Sequence, residues 1–304
     1  MTRTSYGPVT LLVDFGGVDG NAPLREIVGH HQELVDRRVL LDPLRAKHGF
    51  ATLVERALSC LATLPSHARD PEATAVVVAN CTGAAFGMAV CAAFAATGLP
   101  APTLVLVDPV LVDRQEVYDW ACYIAARFTS DADVKRQLSA AVLEGDGPLD
   151  VVVSAVTAVL RTTAIEYATA AGMSPVEIEA VGGQLVDRYA VWLTYLMSLT
   201  TFDLPTLRSE LHVLASAGSH GHDGFLRASP NPHCVSSVSN VDPRSAEARH
   251  AFDLVLARVG GSASAMRPSP PRDHGPGCVG TPETDIGITP AAPRPAGTHA
   301  RTTH

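Results

Sequence analysis

Apolar residues fall along this chain in two kinds of pattern. Short unbroken runs occur at 8–15 (PVTLLVDF), 75–79 (AVVVA), 104–107 (LVLV) and 211–215 (LHVLA). Nothing alternates within them, so they are expected to be strands buried on both faces, as in a parallel sheet covered by helices. A further short run at 233–238 (HCVSSV) reads as one more strand, and a further element is expected near 38–41. Between the runs the spacing changes to three and four. Leu53, Ala57, Leu61 and Leu64 predict an amphipathic helix over 50–64. Residues 84–97 are small and apolar on every side, which predicts a buried helix, closed by Gly98, Pro100 and Pro102. A helix is also expected from about Pro23.

From 113 to 208 helical spacing dominates, with predicted helices at 114–128, 131–144, 149–172 and 174–199. The run at 149–160 is β-rich in composition but too long for an ordinary strand, so it is read as helix. This block interrupts the strands and is expected to be a helical lid inserted in the sheet, over about 113–208. A last helix is expected at 245–259. From 260 to 304 the chain is proline-rich, without Phe, Tyr or Trp. It cannot bury enough apolar area to offset its ordering entropy, and is expected to be a disordered tail following a single domain, 1–259. The fold class expected is α/β, a mainly parallel sheet with a helical lid insertion.

Composition narrows the functions. Lys and Arg number 23 against 31 Asp and Glu, a net charge of −8, and no basic block is present. Nucleic-acid binding is therefore not expected. Charged residues make up 18% and hydrophobic ones 46%, enough for a substantial core. No run reaches the ~18 uninterrupted apolar residues of a membrane span, and the start does not read as a secretory leader. The six cysteines include no Cys-x-x-Cys pair. A cytoplasmic location, without membrane association, is the expectation.

The chemistry concentrates where strands end. Asn80-Cys81-Thr82-Gly83 stands between the run at 75–79 and the small-residue helix. A nucleophile elbow has this order, with G-x-S-x-G at a tight strand-to-helix turn. Here Ala79 stands for the first glycine, Cys81 for the serine, and Gly83 remains. A cysteine there lies at a helix N-terminus, which favours the thiolate. The competing reading is a buried structural cysteine. Asp108 ends the next strand on the same sheet edge, where it could orient a histidine or simply open an Asp-Pro turn. Gly16-Gly17 lacks the dinucleotide spacing.

These features, in this order, resemble the thioesterase family of the α/β-hydrolase fold that serves polyketide and nonribosomal-peptide synthesis, with a cysteine in place of its serine. LLVDFGG at 11–17 resembles the first strand and oxyanion loop, ANCTG at 79–83 the elbow, LVLVD at 104–108 the strand ending in the triad aspartate, and 113–208 the lid. The resemblance implies an acyl-Cys81 intermediate formed from a thioester on phosphopantetheine. Backbone N–H groups at Thr82 and near Phe15 and Gly16 would hold the oxyanion. It implies an acyl or peptidyl carrier protein as partner, an acceptor that can be a small molecule, and no cofactor or metal bound by the enzyme. An acyl-cysteine is itself a thioester, which favours transfer over hydrolysis.

The histidine departs from the pattern. The loop before the last helix reads Ser239-Asn240-Val241-Asp242-Pro243. The remaining candidates for the base are His220 and His222, then His233, with Asn240 in another role and His250 read as a surface or packing residue. A cysteine needs less base assistance than a serine. His220-x-His222-Asp223 also has zinc-like spacing but lacks a third ligand. Hydrolytic editing or release, a silent scaffold of the same fold, and an unrelated α/β enzyme with Cys81 buried stand as alternatives.

Overall fold

In a computed structural model the described residues are 9–13, 15, 24, 38–44, 52–66, 75–217, 222–228, 233–238 and 246–265. They lie within a compact unit running from Met1 to Met266; residues 267–304 make a second unit outside the described residues. The proline-rich stretch falls almost wholly in that second unit.

Six strands form one sheet: β1 (Val9–Val13), β2 (Arg38–Leu41), β3 (Ala75–Asn80), β4 (Thr103–Val107), β5 (Leu211–Ser216) and β6 (His233–Val238). Their spatial order is β2-β1-β3-β4-β5-β6, and every neighbouring pair is parallel. The unbroken apolar runs have the expected cause, because successive residues serve opposite faces. Leu11, Val13, Val77, Ala79, Leu104, Leu106 and Val213 face one core. Leu12, Val76, Val78, Val105, Val107 and Leu214 face another, capped by Leu24, Phe252 and Val255.

On the first face lie α1 (Leu53–Ala62) and α2 (Ala84–Ala96). Thr52 caps α1 in a reciprocal box with Glu55. The helix α2 is buried on nearly all sides, as its composition predicts. Its closeness to the sheet depends on Gly87, where a Cβ would come within 2.9 Å of Ala79 Cβ and 3.3 Å of Leu104 Cδ1.

Between β4 and β5 the chain is helical: α3 (Arg114–Ala125), α4 (Ala132–Val142), α5 (Leu149–Ala170), α6 (Pro175–Glu179) and α7 (Val186–Leu199). The fold is thus α/β-hydrolase-like, a parallel sheet with a helical insertion. The run at 149–160 is indeed helix. The predicted single helix at 174–199 is not continuous: a π-helical stretch, Ala180–Leu185, separates α6 from α7. There Gly182 lies against Ile165, and Arg161 donates to its carbonyl (3.2 Å) while pairing with Asp187. Among the described residues α5 is the one helix long and apolar enough to cross a membrane. Here Val152, Val156, Leu160 and Ala164 bury one side of it in the helical block.

After β5 comes α8 (Asp223–Ala228), which the glycine- and histidine-rich sequence around it does not predict. The last helix, α9 (Ala246–Ala265), continues past the expected 259.

Candidate active site

Strand order places the site. The chain steps from β1 outward to β2, then crosses back to β3 and proceeds the other way. Connections after β1 and β3 therefore leave in opposite directions, opening a crevice at the carboxyl ends of these two strands. Register puts Val13 beside Ala79, Asn80 beside Val107, and Val107 beside Leu214. Phe15, Cys81, Asp108 and Ser216 accordingly line one edge.

Cys81 occupies the turn itself. Its φ is +46°, and Asp108 at the end of β4 has φ +44°; these are the non-glycine residues with positive φ among those described. Each stores backbone strain of about 1–3 kcal/mol, which the packing around it must hold. A single 3₁₀ turn, Cys81–Gly83, leads straight into α2. The cysteine is a half-buried thiol at that helix start, whereas Cys91, ten residues on, is buried. Burial pushes the Cys91 thiol up to about 12. Gly83 leaves room for close packing: a Cβ there would stand 3.1 Å from the Phe15 ring and from Val13 Cγ1 and press on both.

The peptides of this turn are tied at two points. Val110 N–H, beyond β4, donates to the Cys81 carbonyl (3.2 Å). In a trans peptide the following N–H is antiparallel to that carbonyl, so Thr82 N–H points away from Val110. Thr82 lies where the first N–H groups of a helix are free of intrahelical partners. The next carbonyl, of Thr82, accepts from the Tyr195 hydroxyl (3.0 Å). The Thr82 Oγ1 and Trp192 Nε1 atoms are buried without hydrogen-bond partners among the described residues. Phe15 packs against Trp192 and Tyr195, with ring centroids 5.1 and 5.0 Å apart. Trp120 continues this aromatic group outward from Trp192, at 5.5 Å. Three aromatic residues of the insertion, Trp120, Trp192 and Tyr195, thus form one group with Phe15 beside the turn.

Asp108 has an unexpected partner. Ser216 Oγ donates to its Oδ2 at 3.0 Å and Ser216 N–H to its Oδ1 at 3.3 Å. Ser216 escaped sequence reading because it closes an apolar run without a motif of its own. His222 precedes α8 and is partly buried, with Nε2 3.7 Å from Asp223 Oδ1 and Nδ1 buried without a partner among the described residues. A Cβ at Gly224 would overlap Leu111, so the start of α8 rests on the loop that follows Asp108. His220, Gly16, Asn240 and Asp242 lie outside the described residues. The His233 backbone begins β6, and its side chain is likewise not described; His250 is exposed on α9. No group of three or more His, Cys, Asp or Glu able to hold a metal occurs among the described residues.

No family model matches this chain, and no curated protein does. Solved structures similar to it include the Vlm2 thioesterase domain with genetically encoded 2,3-diaminopropionic acid bound with a dodecadepsipeptide (TM-score 0.48, 13% identity, covering 84% of this chain and 95% of that one). Another is the NocB thioesterase domain in covalent complex with a fluorophosphonate nocardicin G analog (0.46, 14%, 82% and 94%). A third is human thioesterase 2 (0.45, 7%, 86% and 98%).

One expectation is corrected here. The expected kinship is with a form of the carrier-type thioesterases that has a cysteine in place of the nucleophilic serine. The structural matches are to thioesterases at the level of the fold and identify no cysteine-bearing branch. In the site itself a serine, Ser216, holds both oxygens of Asp108. The physical reason is register: β5 runs beside β4 and extends to Ser216, bringing its hydroxyl onto the carboxylate without any intervening loop.

Proposed function

We propose that this protein is an enzyme acting on acyl thioesters at the carboxyl edge of its sheet, as a thioesterase or acyltransferase, with the acyl group carried on Cys81. The observation that carries the proposal is the left-handed backbone of a half-buried cysteine at a strand-to-helix turn, at the topological switch point. It rests on the geometry of the turn, with no kinship to a cysteine-bearing branch of thioesterases implied. The Cys81 sulfur attacks the thioester carbonyl, the carbonyl pair moves to oxygen, and collapse expels the donor thiol. Thr82 N–H, pointing away from Val110, is the first oxyanion donor, and the residues Phe15 and Gly16 are the candidates for the second. Asp108, held by Ser216, supplies a carboxylate on the β4–β5 side, and His222 or His220 is the candidate base.

The donor is a thiol ester presented on phosphopantetheine by an acyl or peptidyl carrier protein. The acyl-cysteine is a thioester, so passage to a second thiol is close to isoenergetic, while an amine, alcohol or water draws the reaction downhill. No cofactor enters this chemistry. A cytoplasmic setting fits it.

Incubation with acyl-pantetheine and acyl-carrier donors, followed by intact mass, tests the proposal. The wild-type chain is expected to gain one acyl mass, Ser216→Ala to gain it as well, and Cys81→Ala to gain none. Loading that survives Cys81→Ala and vanishes in Ser216→Ala transfers the covalent role to Ser216. A wild-type chain that neither loads nor turns over any donor is the scaffold instead.

A further inference from the structure

We infer that Tyr195 is a positioning residue for the oxyanion side of this site, and that α7 is a fixed brace on the turn rather than part of a lid that swings clear of it. The inference rests on the reading of Cys81 and Thr82 given above and adds a residue that neither motif nor resemblance singles out. Tyr195 is fully buried, 113 residues from the turn in sequence, and gives its hydroxyl to the Thr82 carbonyl at 3.0 Å. The Val110 N–H holds the carbonyl one residue earlier at 3.2 Å. Two successive peptide planes are therefore tied from different elements. With both carbonyls held, the Thr82 N–H between them keeps one direction without reorganising as negative charge develops on a substrate oxygen.

The ring of Tyr195 is itself immobilised. Phe15 contacts it at 5.0 Å and Trp192 stacks on it at 5.7 Å. The same Phe15 ring touches the space above Gly83, so β1, the turn and α7 share one packed group. Swinging α7 away would break the hydroxyl bond and part Phe15 from Trp192 and Tyr195, which both ride on α7. Tyr189, two helical turns from the site on the same helix, makes the contrast: its hydroxyl meets Arg127 at 2.6 Å near the surface.

The test compares Tyr195→Phe with Tyr189→Phe in the full chain. Tyr195→Phe keeps the ring and removes the oxygen. Single-turnover acylation by acyl-pantetheine is expected to slow about tenfold, with the concentration dependence on donor unchanged, that being the rate equivalent of one lost hydrogen bond. Tyr189→Phe is expected to leave the rate unchanged. Amide hydrogen exchange at Val110 and Ala84, whose N–H groups bond the Cys81 carbonyl, supplies a readout that needs no activity. It should accelerate in Tyr195→Phe and not in Tyr189→Phe. A Tyr195→Phe protein with unaltered exchange at these amides, or with wild-type acylation rate, overturns the positioning role. If the wild-type chain is not acylated at all, the functional reading falls by itself, and the exchange comparison still decides whether Tyr195 holds the turn.

Discussion

The turn that ends β3 and the turn that ends β5 lie on the same edge of the sheet, two strands apart, and are built in opposite ways. At β3 the backbone enters a left-handed conformation at Cys81 and becomes helix at once, among small and buried residues. Its carbonyls are tied from β4 and α7. At β5 the strand runs on to Ser216 in ordinary extended geometry, and the polar groups there are satisfied by side chains: Ser216 on Asp108, with His222 near Asp223. The β3 turn is strained in its own backbone; the β5 end is not, and its side chain bonds Asp108, whose backbone at the end of β4 is strained too. A strained backbone costs stability but fixes direction, whereas a hydrogen-bonded side chain stabilises and can exchange partners.

The largest effect is expected from crowding the strained side. Gly87→Val places a side chain against Ala79 Cβ, which cannot move without its strand, and against the end of the Leu104 side chain. A loss of about 3 kcal/mol in a urea titration is expected, from overpacking. An unaltered midpoint would mean that α2 is not seated on the sheet as described.

The two cysteines of this element give the next contrast. The Cys91 thiol, pushed up to about 12 by burial, stays neutral in the folded chain at pH values where an unfolded thiol ionises. Its contribution is complete below the unfolded value near 9 and is lost as pH rises toward 12, at about 1.4 kcal/mol per pH unit. Cys91→Ala is expected to shallow that part of the stability–pH curve, at the cost of a small cavity. In the native protein iodoacetamide is expected to label Cys81 and spare Cys91, which peptide mapping reads directly.

Replacing Cys81 by glycine sharpens the cost of the strained turn. Glycine adopts positive φ without penalty, so Cys81→Gly is expected to raise stability by about 1 kcal/mol while abolishing acyl loading. A destabilised Cys81→Gly protein would mean that the thiol contributes more to packing than the backbone loses. The smallest effect belongs to the unstrained side: Ser216→Ala removes one partly buried bond to a carboxylate, a loss of about 1 kcal/mol in the same titration. No change in stability would show that water replaces the hydroxyl on Asp108.

Much of the strained side is legible in the chain. An apolar run followed by Asn-Cys-Thr-Gly and a stretch of small residues states a strand, a tight turn and a close-packed helix, because each depends on neighbours in sequence. The helices of the insertion are legible for the same reason, down to the segment at 149–160, since period and length together separate helix from strand. The interruption at Ala180–Leu185 was not, because it comes from Gly182 seating against Ile165 and from Arg161, a residue on another helix.

Local pattern also determined the class of sheet and the positions of Cys81 and Asp108 at the ends of strands. Tertiary structure alone decided who their partners are. Ser216 reaches Asp108 through the register of β4 with β5, and Tyr195 reaches Thr82 across 113 residues. A hydroxyl at the end of an apolar run, or one of the two tyrosines in an amphipathic helix, carries no periodic signal of its bond. That bond is set by which strands pair and which helix packs over them, and these are properties of the whole fold.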